Sequence, residues 1–286
     1  MPLRVIFDRS AFHGDRFTRL QASPLLSLTR QRRLLVHHTP VLLNETFAMY
    51  RNQAEQLRQQ LPFILEVCNG GWFLDRDALW RAELTENRGL RAHVFVRSKD
   101  RRLVETRLAR EVSGSGGFSN LRAAQPEEDE KREKQAAQRD LFVRMREKVA
   151  TGRKRLRLLM NTGPSAQEFI RSGLAEFGRE LIDKHVQTQD KEDTYRRWVG
   201  GRASYPYFTA FVEGMLYAMH HAMAEPNSRI DPNAQVDIEL LTYLNHADLV
   251  VSDDARFFKE AFSCLWGSQR KALMTSAEFV AFLGHL

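Results

Sequence analysis

The sequence predicts an α/β fold, in which a parallel β-sheet flanked by helices is interrupted by a large, mostly α-helical insertion. The prediction depends on two short apolar runs near the ends of the 286-residue chain, at 5–8 and 249–254. Continuous runs rich in β-branched residues are typical of strands buried on both faces of a parallel sheet. Both runs end on aspartates. Because ligands of such sheets collect beyond the carboxyl ends of the strands, converging carboxylates predict a raised pKa or, more simply, a bound divalent cation.

Residues 1–50 form the first part of the predicted sheet domain. The strand 5–7 is followed by a second apolar run at 33–38. Thr39 and Pro40 then signal a helix start, because threonine is a common cap and proline suits the first helical turn. Apolar residues recur at helical spacing after them. This spacing places Glu45 in the second turn of the helix.

Residues 51–228 lack the strand–helix alternation of the two ends and are predicted to be a helical, basic insertion. Helix candidates cover 52–67, 101–112, 126–160, 165–186 and 205–224, and 90–96 is a weaker strand candidate. Ser165 and Glu168 have the spacing of a capping box. An aromatic stripe within 205–217, at helical spacing, is typical of a core.

The basic residues are concentrated in this insertion. Residues 88–160 hold 20 Lys and Arg against 10 Asp and Glu, so with a total of +7 the rest of the chain sums to −3. A concentrated positive surface attracts nucleic acid or an anionic membrane surface. The strongest candidates for nucleic-acid contact are Arg153, Lys154, Arg155 and Arg157. A solvated helix end explains the same four residues equally well.

Strand–helix alternation returns in residues 229–286. A helix begins at 231–232 or at Asp237 and leads to the strand 249–251, and a second helix follows. The segment 271–274 is a further short strand candidate. Thr275 and Glu278 form another capping box before the closing helix.

Cysteine and hydropathy patterns narrow the class of protein. Cys68 and Cys264 are far apart and belong to no metal-binding motif, so we expect two reduced, buried thiols. No uncharged apolar stretch approaches the ~18 residues of a membrane span. We therefore expect a cytoplasmic protein that is not inserted in a membrane. The adjacent histidines at 37–38 and 220–221 point in different directions, so neither pair is expected to chelate one ion.

The two ends of the chain resemble the PIN-domain family of metal-dependent nucleases. The likeness is densest at 237–283, where an acidic residue begins a helix, a strand ends in a Ser-x-Asp turn, an aromatic follows, and a last strand leads to the closing helix. At the other end, Asp8 is followed two positions later by Ser10, and Glu45 matches the helical glutamate of the family. The resemblance covers about 110 residues and excludes the 191 residues between Glu45 and Asp237.

The resemblance implies a cleft in which acidic residues hold one or two Mg²⁺ or Mn²⁺ ions. The implied catalytic and metal-binding acids are Asp8, Glu45, Asp237 and either Asp254 or Asp253. Ser10 and Ser252 are expected to hydrogen-bond the ligating carboxylates or to contact the scissile phosphate. Such ions suit this chemistry, because phosphodiester hydrolysis needs an activated water and neutralisation of charge in the transition state.

The function implied is an endoribonuclease acting on single-stranded or structured RNA, since most of the family cuts RNA. One alternative is a non-catalytic module of the same fold that binds nucleic acid or protein. Another is a flap-type DNA nuclease, for which the insertion would form an arch over the cleft. An antitoxin or inhibitor protein, as in toxin–antitoxin pairs, and a homodimer stay open as further partners.

Overall fold

A computed structural model of the chain contains a four-stranded parallel sheet with helices on both faces. It describes residues 1–48, 54–85, 93–113, 165–186, 191–224 and 233–286, together with single helical positions between 133 and 147. The strands are β1 (Leu3–Phe7), β2 (Leu34–Val36), β3 (Leu249–Val251) and β4 (Ala272–Met274). Their order in the sheet is β2-β1-β3-β4. The predicted α/β class and parallel sheet are confirmed.

The described ranges contain twelve α-helices, which pack around this sheet or against one another. They are α1 (Asp15–Ala22), α2 (Leu25–Arg30), α3 (Pro40–Ala48), α4 (Ala54–Val67), α5 (Arg76–Trp80), α6 (Ser98–Ser113), α7 (Ala166–His185), α8 (Lys191–Gly200), α9 (Pro206–Ala224), α10 (Ala234–Thr242), α11 (Phe257–Trp266) and α12 (Ser276–Leu283). None of the helices in the described ranges is long and apolar enough to cross a membrane.

The two faces of the sheet bury two different apolar clusters. Side chains alternate along a strand, so Val5 and Phe7 of β1 point to one face and Ile6 to the other. The Val5 face packs in a cluster with residues of α1, α2, α4 and α12. The Ile6 face packs in a larger cluster with residues of α5, α7, α8, α9, α10 and α11. Covering both faces explains why the strands are continuous apolar runs.

The central pair of strands is clamped at its amino end by Arg4 and Asp248. The Arg4 side chain donates to both carboxylate oxygens of Asp248, at 2.6 and 3.0 Å. The Arg4 backbone amide donates to Asp248 Oδ2 at 3.1 Å, and the Asp248 amide donates to the Arg4 carbonyl at 2.8 Å. The hydrogen bonds from Arg4 keep the pKa of Asp248 below its ordinary value. The ion pair therefore sets where β1 and β3 begin to pair.

The helices between the two sheet parts contribute to the same core as the strands. The aromatic stripe predicted at 205–217 is buried, lies in α9 apart from Tyr205 directly before it, and shares a cluster with Ile6 and Val250. Helix α9 packs against α7, α10 and α11. The described part of the predicted insertion thus packs on both faces of the sheet, with α4 on the Val5 face and the other helices mainly on the Ile6 face. The division at 51 and 228 remains a prediction.

Several local predictions are confirmed and others need correction. The capping boxes at Ser165 and Thr275 are both formed. Helix α10 begins at Ala234 after Asn233, so neither 231–232 nor Asp237 is its start; Asp237 lies in its first turn.

Two further expectations are corrected, and one lies outside the described residues. Phe95 forms only an isolated antiparallel bridge with Phe73, and no strand is assigned within 93–96. Cys264 is half-buried because α11 leaves it near the surface, while Cys68 is buried as expected. The predicted helix 126–160 falls almost entirely outside the described residues.

Close packing of α7 on α8 leaves no room for a side chain at Gly178. A methyl group there would lie 2.0 Å from the ring of Trp198, which is fully buried. We expect Gly178→Ala to lower the free energy of unfolding by about 1–3 kcal/mol, the usual cost of overpacking. Urea denaturation followed by tryptophan fluorescence measures the change. Gly200→Ala is the control, because no atom lies within 4 Å of its added methyl group; equal stability of the two variants would contradict the packing described.

A buried carboxylate caps the start of α9. Glu83 lies on a π-helical turn, Arg81–Thr85, and is fully buried. Its two oxygens accept the backbone amides of Tyr207 at 3.0 Å and Phe208 at 2.8 Å. These are among the amides that a helix leaves without an internal partner. Burial raises the pKa of Glu83 from 4.5 to about 7, against the opposing effect of the two hydrogen bonds.

This raised pKa makes stability depend on pH. The folded protein keeps the Glu83 proton up to about pH 7, whereas the unfolded chain loses it near 4.5. The contribution of Glu83 is therefore full below pH 4.5 and is lost as the pH rises towards 7, by about 3 kcal/mol. We expect Glu83→Gln to remove that slope in urea titrations between pH 4.5 and 7.5. The exposed-site variant Glu180→Gln should keep it; parallel curves for all three proteins would refute the assignment.

Candidate active site

The carboxyl ends of β1 and β3 bring Asp8 beside the turn 252–254. Phe7 pairs with Val251 in the parallel register, and the Asp8 backbone amide donates to the Val251 carbonyl at 2.9 Å. The next residue on each strand therefore stands at the same edge of the sheet. This places the two predicted carboxylate segments side by side, although 243 positions separate Asp8 from Val251.

Two serine hydroxyls hold the Asp8 carboxylate. Ser252 Oγ donates to Asp8 Oδ2 at 2.7 Å, and Ser10 Oγ donates to the same oxygen. Each hydroxyl in turn accepts a backbone amide: Asp253 N reaches Ser10 Oγ at 2.9 Å, and Asp254 N reaches Ser252 Oγ at 3.1 Å. Both serines therefore hydrogen-bond the Asp8 carboxylate, and they orient it through a relay from amide to hydroxyl to carboxylate.

The second oxygen of Asp8 has a different environment. Asp8 is buried to 8% exposure, yet its Oδ1 accepts no hydrogen bond from the residues that the structure describes. An ionised carboxylate offers about four lone-pair positions across its two oxygens. The serines occupy positions on Oδ2 alone. Oδ1 is thus the Asp8 atom that is available to a ligand.

Asp253 and Asp254 have separate surroundings. Both oxygens of Asp253 lie 3.3 Å from the amide of Ser276, the first residue of α12, and Oδ2 lies 3.8 Å from Arg16 Nε. Asp254 Oδ1 accepts only the Arg256 amide, at 2.9 Å, within its own turn. Asp253 therefore joins the turn to α12 and Arg16. Asp254 keeps Oδ2 for a ligand, so the geometry favours Asp254 as the metal ligand of the two.

Arg9 is a buried cation that the sequence interpretation missed. It follows Asp8, is 8% exposed, and its Nη2 donates to Gln60 Oε1 of α4 at 2.7 Å. Burial lowers the pKa of Arg9, while the charges of Glu45 and Asp8 oppose that shift. The guanidinium therefore lies within electrostatic range of two predicted ligands. An arginine directly after the strand-ending aspartate was the signal available in the sequence.

Glu45 and Asp237 lie on neighbouring helices next to this edge. Helix α3, which carries Glu45, packs against α10, which carries Asp237, and against the 3₁₀ turn Arg9–Phe12. One carboxylate oxygen of each residue, Glu45 Oε2 and Asp237 Oδ2, is buried. The elements that carry the four predicted acids are therefore adjacent. Their side chains are less closely grouped than the elements, because no three of them are close enough to hold one ion among the described residues.

The donor set suits an ion that keeps much of its water. Within the described ranges, no group of three or more His, Cys, Asp or Glu side chains is close enough to hold a metal ion. Mg²⁺ characteristically rests on one or two carboxylates and retains several waters, and oxygen atoms such as Asp8 Oδ1 and Asp254 Oδ2 fit that mode.

The remaining candidates fall outside this edge. Arg153, Lys154, Arg155 and Arg157 lie outside the described residues. His37 and His38 are both buried, and burial lowers their pKa values to about 4 and about 3. They stack on Phe95 and Trp72, with ring centroids 5.1 and 4.4 Å apart. These neutral, packed rings agree with a structural role for the pair.

Comparison of the chain with protein-family models, curated protein sequences and solved structures found no match. The geometry of the site is therefore the basis on which its function is argued.

The serine relay predicts a measurable contribution to stability. Ser252→Ala removes a donor to Asp8 and leaves the Asp254 amide without its hydroxyl acceptor. We expect the free energy of unfolding to fall by about 1–3 kcal/mol, the cost of unsatisfied buried polar groups. Chemical denaturation measures it. Ser263→Ala, which removes an exposed hydroxyl bonded to a helix carbonyl, is the matched control; a similar small loss in both variants would argue against the relay.

Proposed function

We propose that this protein is a Mg²⁺- or Mn²⁺-dependent nuclease of PIN-like type that hydrolyses phosphodiester bonds in RNA. The observation that carries the proposal is Asp8 at the carboxyl end of β1, oriented by Ser10 and Ser252 and placed beside Asp254 at the end of β3. The order β2-β1-β3-β4 puts this edge at the two central strands of a parallel sheet. Sites of open α/β sheets form at such edges.

Each residue has a role that follows from its surroundings. Asp8 Oδ1 and Asp254 Oδ2 would hold the ion, which when bound supplies charge neutralisation and an activated water. Ser10 and Ser252 keep the Asp8 carboxylate in one orientation. Glu45 and Asp237 complete the acidic wall from α3 and α10. Arg9 limits the repulsion between Asp8 and Glu45.

Cations at the rim favour a phosphate-bearing substrate. Arg16 donates to the Ser10 carbonyl at 3.1 Å, and its side chain keeps 41% exposure beside Asp253. Arg256, two residues after Asp254, is exposed. Positively charged side chains at this rim would contact the phosphates that flank the scissile bond. RNA is preferred over DNA on the PIN resemblance, and the cytoplasm is the proposed place of action.

The buried Arg9 favours one alternative function. A cation held within the acidic group supplies part of the charge balance without any metal, as a non-catalytic nucleic-acid-binding module would require. An arch-forming DNA nuclease differs from the RNA nuclease and from the non-catalytic module because it would cut DNA. The same assay distinguishes the three functions.

The test is cleavage of labelled single-stranded RNA and DNA in Mn²⁺ and in EDTA. We expect RNA cleavage that needs the ion. Loss of a hydrogen bond that supports a metal ligand costs about 10- to 100-fold in activity. Ser10→Ala should lower the rate by about that amount, and Asp8→Asn and Asp254→Asn should lower it by more. Asp253→Asn should retain more activity than Asp254→Asn. Asp15→Asn, at an exposed aspartate of α1, is the matched control.

Three outcomes would change the assignment. Cleavage of DNA alone would favour the arch-type nuclease. RNA binding without cleavage in either ion would favour the non-catalytic module. Cleavage that persists equally in Asp8→Asn and Asp15→Asn would show that Asp8 is not required for it, and the proposed site would be wrong.

A further inference from the structure

A cavity of about 440 Å³ lies in the helical layer, away from the Asp8 edge. It is lined by residues of α7, α9 and α11, of the turn Arg202–Ser204, and of the turn before β3. Its apolar wall includes Leu174, Leu265 and Trp266. Its volume is in the range of small-molecule sites, which combine an apolar lining with a few placed polar groups. Three polar groups of this cavity decide what would bind there.

Arg202 supplies a positive charge that no acid in the described residues neutralises directly. Its guanidinium lies 6.0 Å from the centre of the Trp198 ring. Its carbonyl accepts the Thr209 hydroxyl at 3.1 Å, which fixes the turn against α9. No ion pair within 4.0 Å is formed by this side chain in the part of the chain that the structure describes. Arginine is the side chain best suited to a carboxylate, which it binds with two parallel hydrogen bonds.

Glu213 supplies the opposite charge in the same cavity. It lies on α9 and forms neither a hydrogen bond nor an ion pair with any described residue. Burial raises the pKa of Glu213, and the charge of Arg202 partly opposes that shift. The two groups are therefore close enough to influence each other but are not joined. Both side chains are half-buried, and a partly desolvated charge without a partner is unfavourable, so each would gain from a ligand of opposite charge.

Asn245 adds a hydrogen-bond acceptor. Its Nδ2 donates to the Pro206 carbonyl at 3.1 Å and to the Thr242 carbonyl at 2.9 Å. Both amide hydrogens are thus used, and the orientation of the side chain is set. Its Oδ1 accepts no hydrogen bond from the described residues. An amide oxygen accepts up to two hydrogen bonds, so it offers a site for a ligand N–H.

We infer that this cavity binds a free α-amino acid with an apolar side chain. The ligand carboxylate would pair with Arg202, and the ammonium group with Glu213 and Asn245 Oδ1. The side chain would lie against Leu174 and Leu265. A zwitterion satisfies both unpaired charges at once, whereas a simple anion or cation would satisfy only one. The site is independent of the proposed nuclease activity, because it shares no residue with the Asp8 edge.

Isothermal titration calorimetry of the full chain with L-leucine, L-phenylalanine and L-tryptophan tests the inference. We expect saturable binding of at least one of them. N-acetyl derivatives lack the ammonium group and amino-acid amides lack the carboxylate, so each should bind at least about tenfold more weakly, the effect of about 1.4 kcal/mol. No saturable heat with any of the three amino acids would overturn the proposal. Equal binding of the blocked forms would do so as well.

Variants separate the two charged contacts. Arg202→Gln and Glu213→Gln should each weaken binding at least about tenfold, because hydrogen bonds to charged groups contribute about 1.5–3 kcal/mol. Arg171→Gln and Glu180→Gln change exposed residues of α7 and are the matched controls. Arg202→Lys keeps the charge and should bind better than Arg202→Gln. If thermal melting shows Arg202→Gln to be unfolded, the comparison of Arg202→Lys with Glu213→Gln decides. Unchanged affinity in both Arg202→Lys and Glu213→Gln would refute the site.

Discussion

The pairing of β1 with β3 is the constraint on which the rest of the structure depends. It joins β1 to a strand that is distant in the sequence: the paired residues Phe7 and Val251 are 244 positions apart. Two polar clamps hold the pair, with Arg4 and Asp248 at the amino end and Asp8 and Ser252 at the carboxyl end. Closing so long a loop costs entropy that only extensive burial can offset. The chain between the strands must therefore contribute core, and the described helices do so on both faces of the sheet.

The two clamps differ in chemistry because their surroundings differ. Arg4 and Asp248 are partly exposed, at 39% and 31%, and form a direct ion pair that water screens. Asp8 is nearly buried and is held by neutral hydroxyls instead. A direct cation on Oδ2 would neutralise the carboxylate; hydroxyls orient it and preserve its charge. The carboxyl end of the pair is thus the end that retains a capacity to bind a cation.

The strands, the parallel sheet and both capping boxes followed from the sequence because they depend on local patterns. Val250 and its neighbours read as a buried strand whatever lies elsewhere in the chain. The predicted start of α10 was wrong. Asp237 is a common type of cap, but it lies in the first turn of the helix, and Asn233 occupies the position before the helix. The cavity and the position of Glu83 depend on the packing of distant helices, which periodicity does not specify. Arg9 was missed because its significance comes from Glu45, 36 positions away.

The negative charges at the Asp8 edge are partly compensated by two arginines of the protein. Arg9 lies within range of Asp8 and Glu45, and Arg16 lies beside Asp253. Both arginines are held in place, Arg9 by the Gln60 side chain and Arg16 by the Ser10 carbonyl, so they are fixed parts of the site. Asp8 Oδ1 and Asp254 Oδ2 accept no hydrogen bond from the described residues. The five acids that the sequence singled out thus differ in their surroundings, and the two oxygens proposed to hold the ion follow the central strands. The proposed hydrated divalent ion would need few protein ligands there, and its remaining positions would face the phosphate of the proposed substrate.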